Sequence, residues 1–504
     1  MKAASRPMLP DYVRSIAERS LLTVARRVFW ITLAGTLIAG SLAALHYASA
    51  HLTLSHYDAR AHLVVARRVV DSLTPGWRQF GSVWLPLPHL VNLVPSAWDW
   101  SYRTGAAAVA ISIVSMGLGL AALARTLVLR TGSAAAGLAA PALALANPSV
   151  LYLMATPMTE PLLFGLTLLS LSATDEWIAQ PSHRSSRRAG GLLAALVLTR
   201  YEGWLVAAAL VALAVGISWR RRPAGMHRLW GFPLLAIVVF VVLSRAGTGQ
   251  WPMSESFFVP DSQLLHHPVF VLSKMMTGLL DLAGLPLTIA GAAGLLLLLV
   301  RARSTPNVLI FVTPLSAAVL PFVAFFEGHP YRVRYLVPSV LAAAVLAAIA
   351  LTALTRIRRW MGFVAAAALV VASIWVRPLL DPQAPMVIEA QWETPFRLER
   401  QKVTAALVQR DDGSPVLASM GSLAHYMHET SQAGFPLRRF LHEGNGDLWP
   451  EALKSPRRSV RWILIEERAE GGDILAARAK EDPTFLDGFE RVIDGGGLAL
   501  YERK

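Results

Sequence analysis

The chain of 504 residues contains no cysteine, which excludes disulfides, thiolate nucleophiles and cysteine-ligated metals. Charge is also scarce: Asp, Glu, Lys and Arg make up 16% of the residues, while 54% are hydrophobic. With a mean hydropathy of +0.46, this is the composition of a chain embedded in lipid. Acids are thinnest in residues 1–376, which hold 30 Lys/Arg against 13 Asp/Glu; residues 377–504 hold 17 against 20. The net charge of +14 therefore belongs to the membrane part, where the positive-inside rule accounts for it without nucleic acid as a partner. No P-loop, Gly-x-Gly-x-x-Gly, Gly-x-Ser-x-Gly or His-Glu-x-x-His run occurs, and no cytoplasmic domain for a nucleotide sugar is visible. The basic start (Lys2, Arg6, Arg14, Arg19, Arg26, Arg27) leads into a full-length span without a small-residue cleavage pattern, so no cleavable signal peptide is expected.

What is present are long apolar runs. They predict a polytopic α-helical membrane protein of about 11 spans, at 28–47, 101–123, 133–153, 158–174, 189–199, 203–218, 229–246, 283–300, 307–326, 335–355 and 361–376. With the N-terminus in the cytoplasm, 20 of the 30 basic residues of this part fall on cytoplasmic segments and nine of its 13 acids fall on the other side. The expected location is the inner membrane. Residues 189–218 lie between two basic cytoplasmic runs, which suits two half-spans meeting at Leu198-Thr199-Arg200-Tyr201-Glu202-Gly203-Trp204. The alternative is one long span with an internal Arg200–Glu202 pair. A charged vertex at membrane depth must be buried in protein or line a cavity.

Residues 1–376 thus read as a membrane domain with outer-face loops 48–100 and 247–282, and residues 377–504 as a soluble α/β domain on the outer side. In that second part short strands at 415–418, 439–442 and 462–465 alternate with helices at 422–431, 448–453 and 473–480. A final strand pair turns through Gly495-Gly496-Gly497.

The outer-side residues carry the candidate chemistry. In loop 48–100, Leu63, Ala66, Val70 and Leu73 have helical spacing, which predicts a helix over Ala59–Leu73 lying in the membrane interface beside Trp77, Phe80, Trp84, Trp98, Trp100 and Tyr102. Asp58, at its start, is an N-cap or a general base. His62 lies four residues on, but a lone Asp-x-x-x-His is weak evidence for a metal. Glu160 in Thr159-Glu160-Pro161 caps the next span or lines a site. Arg200, Tyr201 and Glu202 form a third outer point. In Glu327-Gly328-His329-Pro330-Tyr331-Arg332-Val333-Arg334-Tyr335, two arginines stand against the charge bias. Arg332 and Arg334 suit a phosphate leaving group, or pair with Glu327 or lipid headgroups. Loop 247–282 adds Gln250, Trp251, Glu255, Asp261, His266, His267 and Lys274 around Phe257-Phe258-Val259, as a lid or a second interfacial helix.

This layout resembles the GT-C superfamily of integral-membrane glycosyltransferases, in particular the bacterial branch of protein O-mannosyltransferases and the aminoarabinose transferase of lipid A. The resemblance rests on Tyr57-Asp58 soon after the first span, Trp84-Leu85-Pro86-Leu87-Pro88, Thr159-Glu160-Pro161, Leu198 to Trp204, Arg334-Tyr335-x-x-Pro338 and the C-terminal domain. It implies a polyprenyl-phosphate sugar donor, inversion at the anomeric carbon and a hydroxyl acceptor on a glycan, lipid or protein. Asp58 would then be the base, with Glu160, Arg200, Tyr201, Glu202, His329, Arg332, Arg334 and Tyr335 binding substrate. One departure is Ala59 after Asp58, where many relatives have a second acid. No metal ligands are assigned; metal dependence varies in the superfamily, so a divalent cation is left open. The competing expectation is a transporter or lipid flippase of the cell envelope, although no internal repeat is present.

Overall fold

Runs of about 20 apolar residues become helices because lipid offers backbone N–H and C=O groups no partner, and a helix satisfies them within one segment. The computed structural model describes residues 11–252 and 262–504; Lys2, Arg6, Glu255, Phe257, Phe258, Val259 and Asp261 lie outside the described residues. Helix α1 (Asp11–Ser49) is followed by α2 (Tyr57–Arg67), α3 (Leu87–Ala97) and α4 (Asp99–Thr104). The bundle continues through α5 (Ala106–Thr131), α6 (Ala134–Leu145), α7 (Pro148–Met154), α8 (Glu160–Ala179), α9 (His183–Val197) and α10 (Glu202–Ser218). It ends with α11 (Met226–Thr248), α12 (Pro268–Ala302), α13 (Val319–Phe326, entered through a 3-10 stretch from Pro306), α14 (Val337–Ile357) and α15 (Arg359–Val376).

Among the described residues eight helices are long and apolar enough to cross a membrane, or nine if the pair α6–α7, bent by 77°, is one span. The expected eleven segments all fall on helices, but that at 101–123 is split at Gly105 between α4 and α5, and that at 307–326 is 3-10 as far as Ala318. However, α9 and α10, of 15 and 17 residues, are shorter than a full span. The chain breaks between Val197 and Glu202, so the charged run sits on the vertex and the single-span alternative does not hold. Helix α12 is kinked at Gly284 (φ 72°, ψ 160°), beside the expected start of a span at 283, and its first part, from Pro268, takes up the end of the outer loop 247–282.

Helices pack closely where side chains are small, as expected when lipid supplies no hydrophobic drive between them. Helices α5 and α8 cross with Gly119 and Gly165 in contact: a Cβ on Gly119 would lie 2.7 Å from Gly165 Cα. Gly165→Leu is therefore expected to destabilise the bundle by about 1–3 kcal/mol. Gly35→Leu, on an exposed part of α1 with nothing within 4 Å, should change little. Thermal unfolding in detergent checks this, and equal midpoints for the two variants would refute the close crossing.

Beyond Val376 come α16 (Pro385–Ala390) and α17 (Thr394–Gln409), which composition did not announce. A five-stranded sheet of order β2-β1-β3-β5-β4 follows, built from β1 (Val416–Ala418), β2 (Phe440–Leu441), β3 (Trp462–Glu466), β4 (Phe489–Gly495) and β5 (Leu498–Arg503). Strand β1 pairs in parallel with β2 and β3, and β5 runs antiparallel to β3 and β4. The expected helices α18 (Met420–Gln432), α19 (Leu448–Lys454) and α21 (Ile474–Glu481) stand between the strands, with a short α20 (Pro456–Ser459).

This sheet shares a core with the first connecting segment. Leu63 and Val64 of α2 and Tyr102 of α4 pack with Val403, Val416, Leu423, Met427 and Trp462. Arg60, 0% exposed, pairs with Glu393 at 3.1 Å and with Glu429. Arg400 in turn lies 3.4 Å from Glu393 and 3.1 Å from Glu466. Helix α2 therefore does not lie in a membrane interface; its apolar residues face protein. The pattern showed an amphipathic helix but not what would cover it. The exposed apolar residues of this segment are Val70, Leu73, Trp77 and Val83 beyond the end of α2, Leu90, Val91 and Val94 of α3, and Trp98 and Trp100.

Candidate active site

The connection from α1 to α2 ends in His56, which is the N-cap of α2: its Nδ1 accepts the Asp58 N–H at 3.1 Å. Asp58 is thus not the cap, and its carboxylate is free to face Arg334, 2.6 Å away. Arg334 is buried in the 3-10 turn Val333–Leu336 that opens α14. Its Nη1 lies 2.9 Å from His56 Nε2, its Nη2 donates to Tyr335 Oη at 3.3 Å, and it stands 5.6 Å over the Tyr57 ring. Its Nε is 4.0 Å from Glu160, the first residue of α8, which is 1% exposed. Glu160 lies 3.1 Å from Arg200 at the α9–α10 vertex, and Arg200 pairs with Glu202 at 2.9 Å and donates to Thr159 Oγ1 at 2.8 Å. Asp58, Arg334, Glu160, Arg200 and Glu202 therefore form one alternating line of charge, drawn from four separate stretches of chain.

Two residues that sequence reasoning missed close the arrangement. Glu389, in α16, accepts the Val333 N–H at 2.6 Å, and its other oxygen is 3.6 Å from His56 Nε2. His56 and Glu389 thereby hold the Asp58 helix and the Arg334 turn together. Only the position of His56 beside Asp58 hinted at this; an acid arriving from beyond the last span has no local signature.

Burial pushes the Asp58 carboxyl up, but Arg334 foremost, then His56, His62 and Arg200, overcome it and hold it at about 2. Burial likewise raises Glu389, and the nearby His56 and Arg334 bring it net below the usual range. Burial puts the Tyr57 phenol at about 12. A carboxylate held so low is a poor proton acceptor while its arginine stays in place.

No family model and no curated protein sequence matches the chain. Among solved structures, ArnT from Cupriavidus metallidurans bound to undecaprenyl phosphate superposes with a TM-score of 0.56 at 14% identity, over 94% of this chain and 97% of that one. The chain has the GT-C membrane fold. Apo ArnT from the same organism gives a TM-score of 0.48 at 15% identity, over 92% of this chain and 97% of that one. The Archaeoglobus fulgidus oligosaccharyltransferase in complex with Zn and sulfate gives 0.46 at 12% identity, over 85% and 67%.

Within this GT-C fold, the sequence-predicted residues divide by position. Asp58, Glu160, Arg200, Glu202, Arg334 and Tyr335 are brought together. Arg332 sits at their edge, donating to Tyr57 Oη at 3.3 Å, pairing with Glu470 and lying 5.7 Å over Trp392. His329 is half-buried and packs edge-on against Tyr335 at 5.5 Å. Tyr201 points elsewhere: its hydroxyl donates to Val83 O at 3.0 Å, and Leu87 N–H donates to Leu198 O at 2.9 Å, tying the vertex to the Trp84–Pro88 segment. His62 meets His89 at 3.2 Å beneath Trp84 and holds no metal-like set with Asp58. Among the described residues no group of three or more His, Asp or Glu could hold a metal ion.

Proposed function

We propose that this chain transfers a sugar from a polyprenyl-phosphate donor to an acceptor hydroxyl, with inversion, at the extracytoplasmic face of the inner membrane. The observation that carries this is the Asp58–Arg334 pair at the head of a buried line of acids and arginines, on a fold shared with a protein crystallised with undecaprenyl phosphate. The donor phosphate draws Arg334, and Arg332 beside it, away from their protein acids. Asp58 then loses its principal counter-charge, burial raises its carboxyl, and it becomes able to accept a proton. As the acceptor O–H gives its proton to Asp58, its oxygen attacks the anomeric carbon. The bond from that carbon to the phosphate oxygen breaks, and its electron pair leaves with the polyprenyl phosphate, stabilised by the two guanidiniums. Arg200, already neutralised by Glu160 and Glu202, holds Glu160 beside Arg334. Tyr335 and His329 border the sugar.

The test is incubation of the purified protein in nanodiscs with a panel of polyprenyl-phosphate sugars and crude envelope as acceptor, with free polyprenyl phosphate measured by mass spectrometry. Release is expected from one or more donors. No release from any donor would return the chain to the transporter reading. The orientation has its own test, which the absence of cysteine makes clean. A single cysteine in place of exposed Lys504 should react with an impermeant maleimide in intact spheroplasts, and one in place of exposed Arg221 should not. The reverse pattern would invert the topology.

A further inference from the structure

Far from Asp58, at the end of the bundle where the arginine-rich connections gather, α1, α5, α8 and α9 line a half-open cavity of 460 Å³. Arg26 to Ser49 is 23 residues of helix, so this cavity is displaced from the candidate active site by roughly 35 Å along α1. Its size falls in the range of small-molecule sites, about 300–1,000 Å³.

Its wall divides by chemistry. Three guanidiniums, of Arg26, Arg125 and Arg188, line it against one carboxylate, Glu176. Glu176 is taken by Arg188 at 3.1 Å. Arg26 and Arg125 have no carboxylate partner among the described side chains, which begin at Arg19, so two positive charges from different helices face one space. Ser172 Oγ, also in the wall, is buried without a hydrogen-bond partner. Beside this polar part run the apolar Leu22, Phe29 and Ala122, of which Leu22 is 54% exposed on the outside of the bundle. Paired guanidiniums joined to an apolar wall that opens outwards match a phosphodiester bearing an acyl chain. A soluble anion would leave the apolar wall unused, and a zwitterionic lipid would bring its own ammonium against the arginines.

We infer that this cavity is a binding site for an anionic phospholipid, with the headgroup phosphodiester between Arg26 and Arg125 and an acyl chain along Leu22, Phe29 and Ala122. The site joins α1 to α5 and α8 at the end opposite the proposed chemistry, and it stands whether or not that chemistry is right.

The test is native mass spectrometry of the full-length protein, delipidated in detergent and titrated with phosphatidylglycerol, phosphatidylcholine or inorganic phosphate. Phosphatidylglycerol should be retained over the other two. Near a membrane surface each arginine is worth about fivefold in binding, so the double variant Arg26→Gln/Arg125→Gln should retain it about 25-fold less strongly. The control Arg220→Gln/Arg221→Gln, exposed on the 219–225 connection outside the cavity, should bind as wild type. Ala122→Leu, which narrows the apolar wall and leaves every charge, should also lose lipid. If the control loses as much as the double variant, the attraction is diffuse and the site is refuted. Equal retention of phosphatidylcholine, or full binding by Ala122→Leu, would refute it as well. Inorganic phosphate bound as tightly as the lipid would overturn the lipid assignment.

Discussion

Asp58→Asn is expected to lower turnover by about 10²–10⁴-fold, the range for loss of a positioned general base, while donor binding persists. Asparagine keeps the shape of the side chain but cannot accept the acceptor's proton. It also releases Arg334, which lies 2.6 Å from the native carboxylate, and a released guanidinium is better placed to meet a phosphate. The KM for donor should therefore hold steady or fall as kcat drops. The site stays folded because α2 is capped by His56 and not by Asp58. Wild-type turnover in a variant that unfolds normally would remove Asp58 from the chemistry while leaving the donor class untouched.

Arg334→Gln should cost about 10²–10³-fold in kcat/KM, as for loss of a preorganised group stabilising developing negative charge. Its pH profile is the sharper reading. In the free wild-type enzyme Asp58 stays ionised down to about 2, so kcat/KM carries no acid limb from Asp58 in the usual assay range. Without Arg334 the principal lowering influence is gone and burial, which raises the carboxyl, prevails. A base must be unprotonated to work, so the residual activity of the variant should fall as pH is lowered through this raised value. A residual activity flat with pH would show that Arg334 does not govern Asp58.

Much of the fold could be read from local patterning. The apolar runs marked the membrane helices, and the alternation from Val416 to Tyr501 marked each strand because strands and helices there are short and punctuated by Gly and Pro. What stayed hidden were partners distant in sequence. Arg60 has the spacing of a residue on a solvated helix face, yet it is buried because Glu393 and Glu429 reach it from the other end of the chain. His56 and Glu389 were missed for the same reason. The line Asp58, Glu160, Arg200, Glu202, Arg334 was legible because each member breaks a local expectation, as a charge on a short turn between apolar spans.

The shared core of α2 and the C-terminal sheet also sets the order in which the protein can mature. The Arg60–Glu393 contact spans 333 residues, and Glu389 lies equally far from His56. During synthesis the first connecting segment emerges early, with Arg60, Leu63 and Val64 still lacking the surfaces that bury them. The helix bearing Asp58 therefore reaches its final setting only after the last span has been inserted and the 385–466 region has arrived on the same side. Until then the Asp58–Arg334 pair lacks Glu389, which sits between His56 and the Val333 N–H. A truncated chain is expected to leave that pair unbraced however many of its spans are already in the membrane.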